Sequence, residues 1–379
     1  MKRNNINFYI LCLILVGMMF SLFTTYAFGQ AEPSQASTSA RSAVLYLPQT
    51  NEFLYCKNAD TPLPMASTTK IMTALIALEC CQLTDIVPIN DNAVGIEGSS
   101  AYLRRGDILT MEELLYALLL QSANDAATAI AYHISGGVVD FATLMNNKAA
   151  ELGLCNTHFT NPHGLDNDEH YTTARDLAVI AGEALKNDTF KKIVSTYKKT
   201  FSTEDRTRTY VNHNKLLLLY DGCIGVKTGF TKKSGRCLVG AAEKGGLLLI
   251  TVTLNDPSDW KDHSAMLNLG YDLKESLTLA SKEEYNYELP VINGKNDKVR
   301  VYNTEELAVI TDKSECDIQK RINLPRYVVA PVKRGDILGE VIYTKNGEEI
   351  GRINLISAEN IKEKKLFWNK ILSLFNQTE

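Results

Sequence analysis

The chain has 379 residues, 45% apolar and 22% charged, with a formal net charge of -4. That apolar content over that length supports a large buried core, most naturally split into two domains, and excludes a disordered chain. No long basic run occurs before the extreme C-terminus, which argues against a nucleic-acid surface, because phosphate binding needs clustered Lys and Arg. A small or polymeric substrate is the expectation.

Lys2 and Arg3 precede an apolar stretch from Phe8 to Phe23 and small residues at Ala27 and Gly29. This is the three-part layout of a secretory signal peptide over residues 1–29, with the mature chain beginning near Gln30. The same stretch lies near the lower limit for a spanning anchor, and under either reading the remainder is exported. Residues 30–41 are polar, small and contain Pro33, the composition of a flexible lead. Cys12 lies in the signal segment and seven further cysteines follow, an odd number that closes no disulfide set. Cys80 and Cys81 are adjacent and no C-x-x-C occurs, so the cysteines read mostly as buried thiols, with one bridge left open, and do not point to zinc.

Folded structure is expected from Ser42, with strands at Ser42–Leu47 and Phe53–Lys57, followed by Pro62 and Pro64, which discourage regular structure up to Met65. A helix starts near Ser67 and is apolar nearly all round from Ile71 to Leu78, the pattern of a helix buried mid-domain. Thr110 and Glu113 form a capping box ahead of Leu114–Leu120, and that helix delivers the chain to Ser122. Gly136 and Gly137 stop the next helix, and amphipathic helices follow at 139–152 and 173–186 around the turn Asn161-Pro162-His163-Gly164. Strands are expected at 207–211, 223–229, 237–243 and 247–254, the last two joined as a hairpin by Lys244-Gly245-Gly246, and a helix at 260–273.

Strands, helices and strands again define an α+β domain over 42–277, an antiparallel sheet built from both ends of the segment and flanked by helices. From 278 to 360 the pattern becomes short alternating strands with turns at Asn293, Arg334 and Asn346, a small all-β domain. The last segment, 361–379, places Ile361, Phe367, Trp368, Ile371, Leu372, Leu374 and Phe375 on one helical face opposite Lys362, Lys365, Asn369 and Lys370. It is too short and charged to span a bilayer and suits a membrane surface; packing on the β domain is the alternative.

Ser67 and Lys70 are three apart at the start of the buried helix and share a face, with Cβ atoms ~5–6 Å apart. A lysine amine there can take the serine proton once burial and a second cation have lowered its pKa. The helix N-terminus offers backbone N–H groups to an oxyanion. Alone, S-x-x-K is weak, since an N-cap serine with a solvated lysine reads the same. Two further groups add to it: Ser122-Ala123-Asn124 after a capped helix, and Lys227-Thr228-Gly229 on a strand. Lys227 can be the second cation, Ser122 a proton relay and Asn124 a holder of a substrate carbonyl. Thr228 can bind a substrate carboxylate, and Gly229 lets a substrate backbone come close.

In this order S-x-x-K, S-x-N and K-T-G resemble the motifs of penicillin-binding proteins and serine β-lactamases. The surroundings Pro64–Thr73, Thr157–Asp166 and Gly225–Thr231 are similar to those of the low-molecular-mass D-alanyl-D-alanine carboxypeptidases, over residues 40 to about 275, with a usual tail of β domain and amphipathic helix. The resemblance implies a β-lactamase/transpeptidase-like domain that trims the terminal D-alanine from peptidoglycan pentapeptide stems at the outer face of the cytoplasmic membrane. It implies acylation of Ser67, an oxyanion hole from the N–H groups of Ser67 and Phe230, inhibition by β-lactam antibiotics, and no cofactor or metal. Some members hold the substrate carboxylate with an arginine upstream of the third motif; here Asn212-His213-Asn214-Lys215 stands in that place, and His213 or Thr228 can share the role, a satisfied or solvated ring being the more natural reading of His213. Asp166 braces its loop. No E-x-x-L-N lies between the second and third motifs, Glu183-Ala184-Leu185-Lys186-Asn187 being the nearest, so fast β-lactam hydrolysis is not expected. G-x-S-x-G and H-E-x-x-H are absent. A DD-endopeptidase using the same residues and an inactive wall-binding scaffold remain as alternatives.

Overall fold

The computed structural model describes residues 37–202, 206–313 and 317–364. The expected signal segment, residues 30–36 of the expected lead, and residues 365–379 of the expected C-terminal helix lie outside them. Strands β1 (Ser42–Leu47) and β2 (Glu52–Lys57) open the fold, and a 3-10 turn at Ala66–Thr69 runs into α1 (Lys70–Cys80). The short strands β3 (Ile86–Pro88) and β4 (Ile108–Thr110) pair with each other. Helices α2 (Met111–Leu119), α3 (Asn124–Ser135), α4 (Val138–Glu151), α5 (Ala174–Leu185) and α6 (Asp188–Ser195) follow. Next come the hairpin β5 (Lys198–Ser202) and β6 (Thr207–Val211), the single turn α7 (Leu216–Leu219), β7 (Cys223–Thr231), β8 (Gly235–Lys244), β9 (Leu247–Leu254) and α8 (Asp259–Leu273).

The central sheet runs β2-β1-β9-β8-β7, every pair antiparallel, so both ends of the segment build it as expected. All six residues of β1 are buried, because both faces of the sheet are covered. Gly182 of α5 sits against Tyr46 and Ile250, whereas Gly270 of α8 sits against Leu45 and Leu249. Since neighbouring strand residues point to opposite faces, α5 and α8 lie on opposite sides. The Thr110 capping box forms at α2, Gly136 ends α3 with φ 77°, and Gly245 and Gly246 take positive φ between β8 and β9.

The β domain begins at β10 (Lys274–Ala280), not at 278, because Lys274 already pairs with Asp312 of β13 (Leu307–Asp312). The remaining strands, β11 (Asn286–Ile292), β12 (Lys298–Tyr302), β14 (Ile318–Asn323), β15 (Val328–Val329), β16 (Ile337–Lys345) and β17 (Glu348–Ser357), form one sheet in the order β14-β16-β17-β12-β11-β15.

Three further sequence expectations change. Residues 38–41 are anchored, not a free lead: Ser39 Oγ donates to Asp256 at 2.7 Å and to Asp262 at 2.8 Å, and Arg41 N–H donates to Asn255 O at 3.0 Å. Ile361–Lys364 is extended, with Ile361 bonded in both directions to Val332 and buried in the β-domain core; pairing of its backbone overrides the helical pattern there. Of the described cysteines, only Cys237 is buried, while Cys80 and Cys155 are exposed.

Candidate active site

The chain enters Ser67 through Ala66, whose φ of 48° is a left-handed conformation that costs a non-glycine residue about 1–3 kcal/mol unless its surroundings impose it. They do. Thr69 Oγ1 donates to Ala66 O at 2.7 Å, and Gly164 lies so near that a Cβ added there would stand 1.9 Å from the same carbonyl. The 3-10 turn then presents Ser67 half-buried, while Lys70, first residue of α1, is fully buried.

Lys70 Nζ donates to Ser67 Oγ at 3.0 Å, Asn124 Oδ1 at 2.7 Å and His163 O at 2.5 Å. Burial, and after it the charge of Lys227, pulls its pKa well below the usual lysine value, with Asp125 partly opposing. Neutral Lys70 at 3.0 Å from a hydroxyl is a base in hydrogen-bond reach.

Asn124 opens α3, and its amide is fixed at both ends, accepting from Lys70 and donating through Nδ2 to Glu97 O at 2.6 Å. Its backbone N–H reaches Ser99 O at 2.7 Å, so the 97–103 loop is tied to the same helix end. Asp125 completes that tie, accepting from Ser100 Oγ at 2.6 Å and from the N–H groups of Ala101 and Leu103 at 2.9 and 3.0 Å. Ser122 holds φ 61°, a strained position that turns its side chain into the cleft.

The third group lies on β7, the edge strand of the sheet. Lys227 is buried, and its Nζ donates to Thr228 O at 2.9 Å; burial brings its pKa down to about 7. A Cβ on Gly229 would stand 3.0 Å from Ser67 N, so glycine is what allows β7 to lie against the turn that carries Ser67. Ser67, Ser122, His213, Thr228, Gly229 and Phe230 line one cleft of about 530 Å³, with Lys70, Asn124 and Lys227 buried at or just behind its wall. All nine expected site residues therefore belong to this cleft and the cluster beneath it. His213 has its pKa lowered by burial and then by Lys227, so it offers a neutral hydrogen-bonding ring and no charge.

The sequence reading missed several residues of the cleft. Arg236, opposite Phe230 in the β7–β8 register, joins Asp259 and Trp260 in its wall. The guanidinium grips Asp259 through Nε at 2.9 Å and Nη2 at 2.8 Å and lies 5.5 Å from the Trp260 ring centroid. The His163 carbonyl was also missed, although its turn stands out in the sequence, because a backbone acceptor leaves no side-chain signature. Asp166 accepts from Thr231 Oγ1 at 2.8 Å, tying its loop to the end of β7. Glu183 pairs with Lys186 at 2.6 Å and Asn187 caps α6. Cys237 also lines the cleft, but burial pushes its thiol up to about 11, which leaves it un-ionised at neutral pH.

The buried cation has a thermodynamic signature. Between about 7 and the ordinary lysine value, unfolded chains hold a proton on Lys227 that the folded protein lacks, so this residue makes stability rise with pH across that window. In Lys227→Met that contribution vanishes. Urea unfolding at about pH 6.5 and about pH 9 should show the wild type gaining up to a few kcal/mol more than the variant; equal gains would contradict a buried, depressed Lys227.

Residues 29–258 match the family model described as D-alanyl-D-alanine carboxypeptidase, Peptidase S11, and residues 275–363 match that of the penicillin-binding protein 5 C-terminal domain. The chain is 33% identical over 369 residues to D-alanyl-D-alanine carboxypeptidase DacF of Bacillus subtilis (strain 168), covering 93% of this chain and 95% of the relative. It is 31% identical over 378 residues to D-alanyl-D-alanine carboxypeptidase DacC of Escherichia coli (strain K12), covering 94% of each. The crystal structure of penicillin binding protein 5 from Haemophilus influenzae superposes with a TM-score of 0.62 at 28% identity, over 87% of this chain and 99% of that one.

A transpeptidase-like α+β domain followed by an all-β domain places the molecule among the serine peptidases of that architecture. The chain belongs to the D-alanyl-D-alanine carboxypeptidase family and is a serine-type enzyme of that activity.

Proposed function

We propose that Ser67 is the acyl-ester nucleophile and that the substrate is the peptidoglycan pentapeptide stem, from which the terminal D-alanine is removed. The observation that carries the assignment is a buried Lys70 Nζ with a lowered pKa, 3.0 Å from Ser67 Oγ. Neutral Lys70 takes the hydroxyl proton as Oγ attacks the carbonyl of the penultimate D-alanine. The oxyanion settles on the N–H groups of Ser67 and Phe230. The proton passes through Ser122 to the leaving amine, the peptide C–N bond breaks and D-alanine departs. Water then attacks the ester, giving its proton to Lys70, and Ser67 is regenerated. Asn124 holds an upstream peptide carbonyl, while Lys227 and Thr228, with neutral His213 as a hydrogen-bond partner, hold the terminal carboxylate.

A β-lactam enters the same path, and its acyl group blocks the cleft that water needs. The enzyme works outside the cell, at the outer face of the cytoplasmic membrane, and the apolar and basic residues of 365–379 supply a surface contact there. Purified full-length protein incubated with a fluorescent penicillin and, separately, with diacetyl-Lys-D-Ala-D-Ala should become labelled and release free D-alanine. Labelling without release from this peptide, but with cleavage of crosslinked dimers, would make it an endopeptidase instead. Absence of labelling on folded protein would overturn the proposal.

A further inference from the structure

Helices α1 and α3 begin at the active site with Lys70 and Asn124, and their opposite ends meet at a second group of reactive side chains. Cys81 caps the C-terminus of α1, His133 stands in the last turn of α3, and Asp85 lies in the turn leading to β3. One ligand atom from each lies within 4.8 Å of the others. The eleven residues of α1, at ~1.5 Å rise each, put this group roughly 16 Å from Lys70, so it is no part of the cleft.

We propose that Cys81, Asp85 and His133 bind a divalent cation of the zinc class, with water as the fourth ligand. Thiolate, imidazole and carboxylate together form a donor set that suits zinc and is poor for magnesium or calcium, which take oxygen ligands. The turn is already fixed: Gln82 N–H donates to Asp85 Oδ2 at 2.8 Å, and Asp85 N–H donates to Gln82 O at 3.0 Å. That orientation leaves the second carboxylate oxygen for a metal. Two helix C-termini converge here, and the partial negative charge of their last carbonyls favours a cation. Cys81 and Asp85 are half-buried and His133 is exposed, so an ion can enter from solvent without any rearrangement of the core. On binding, the Cys81 S–H bond breaks, the sulfur keeps the electron pair as a thiolate ligand, and the proton leaves to water. Sequence spacing gave no sign of the site because its ligands come from three separate elements. A metal here ties together the far ends of the two helices whose near ends carry the catalytic Lys70 and Asn124.

The test uses the full-length, untagged protein, stripped with a chelator and titrated with Zn²⁺ by calorimetry and with Co²⁺ as a spectroscopic probe. One equivalent of each metal should bind, and Co²⁺ should show a thiolate charge-transfer band. Cys81→Ser and His133→Ala, both at solvent-reached positions and checked for folding by thermal unfolding, should lose the band and bind Zn²⁺ at least about 10-fold more weakly. Cys80→Ser, altering the adjacent exposed thiol, should leave both signals intact. No band in the wild type, a band that survives in Cys81→Ser, or one that depends on Cys80 would overturn the assignment.

Discussion

Ser67→Ala is expected to fold normally, release no measurable D-alanine and take no covalent label from penicillin, a loss in kcat of at least about 10⁴-fold. The substitution removes one oxygen whose protein partner is Lys70 at 3.0 Å and asks nothing of the backbone, because Ala66 just before it already sustains a positive φ. Ser122 and Cys237, which also line the cleft, are poorly placed to replace it. Ser122 is held in its own strained turn, and the Cys237 thiol is buried and un-ionised at neutral pH. Substrate binding should persist, since Lys227, Thr228 and Gly229 are untouched. Binding of a non-hydrolysed stem peptide to the variant, measured by calorimetry, separates lost chemistry from lost recognition. Turnover within ten-fold of the wild type would rule out Ser67 as nucleophile.

Lys70→Gln is expected to slow acylation by penicillin by about 10²–10⁴-fold, the usual worth of a positioned general base. Glutamine is one bond shorter and carries no amine that titrates, so the variant loses the group that accepts the proton, and thermal unfolding checks that it keeps its fold. The pH dependence carries the sign of the argument. Burial and Lys227 pull Lys70 below the ordinary lysine value; as pH rises through its pKa the amine becomes neutral and able to accept a proton, so wild-type acylation should climb with pH. In Lys70→Gln that limb should disappear. A stopped-flow series across pH reads both effects, and an unchanged limb in the variant would assign the titration to another group.

Much of this arrangement is legible in the sequence because it rests on side chains with strong local signatures. Thr110 and Glu113 announce the helix that leads to Ser122, and the box forms as read. The nearly all-apolar helix after Lys70 speaks against a solvent-facing lysine, and Lys70 is fully buried. Other features have no such signature. Left-handed conformations at Ala66 and Ser122 contradict the local preference of both residues, and that of Ala66 is held by the distant loop at Gly164. Arg236 joins the cleft only through the cross-strand register of β7 and β8. Strand β5 went unread because Lys198–Ser202 offers a single large apolar residue, Phe201, which packs near Tyr116 across the fold. Ile361 was assigned to a helical face by periodicity, yet its backbone pairs with Val332 and its side chain enters the β-domain core; periodicity describes a segment and is blind to a neighbouring strand with an open edge.

Strand β7 ends the central sheet, and an edge is ordinarily something a protein hides, since unpaired backbone groups invite any extended chain. Here the exposed margin runs beside Ser67, and the tight turn Ala66–Thr69 covers one side of it. On the proposed function, the sheet is unfinished and its missing strand is the peptide that is cut. On that proposal, selectivity begins as ordinary strand pairing, open in principle to any extended backbone, and narrows where Lys227 and Thr228 hold a terminal carboxylate.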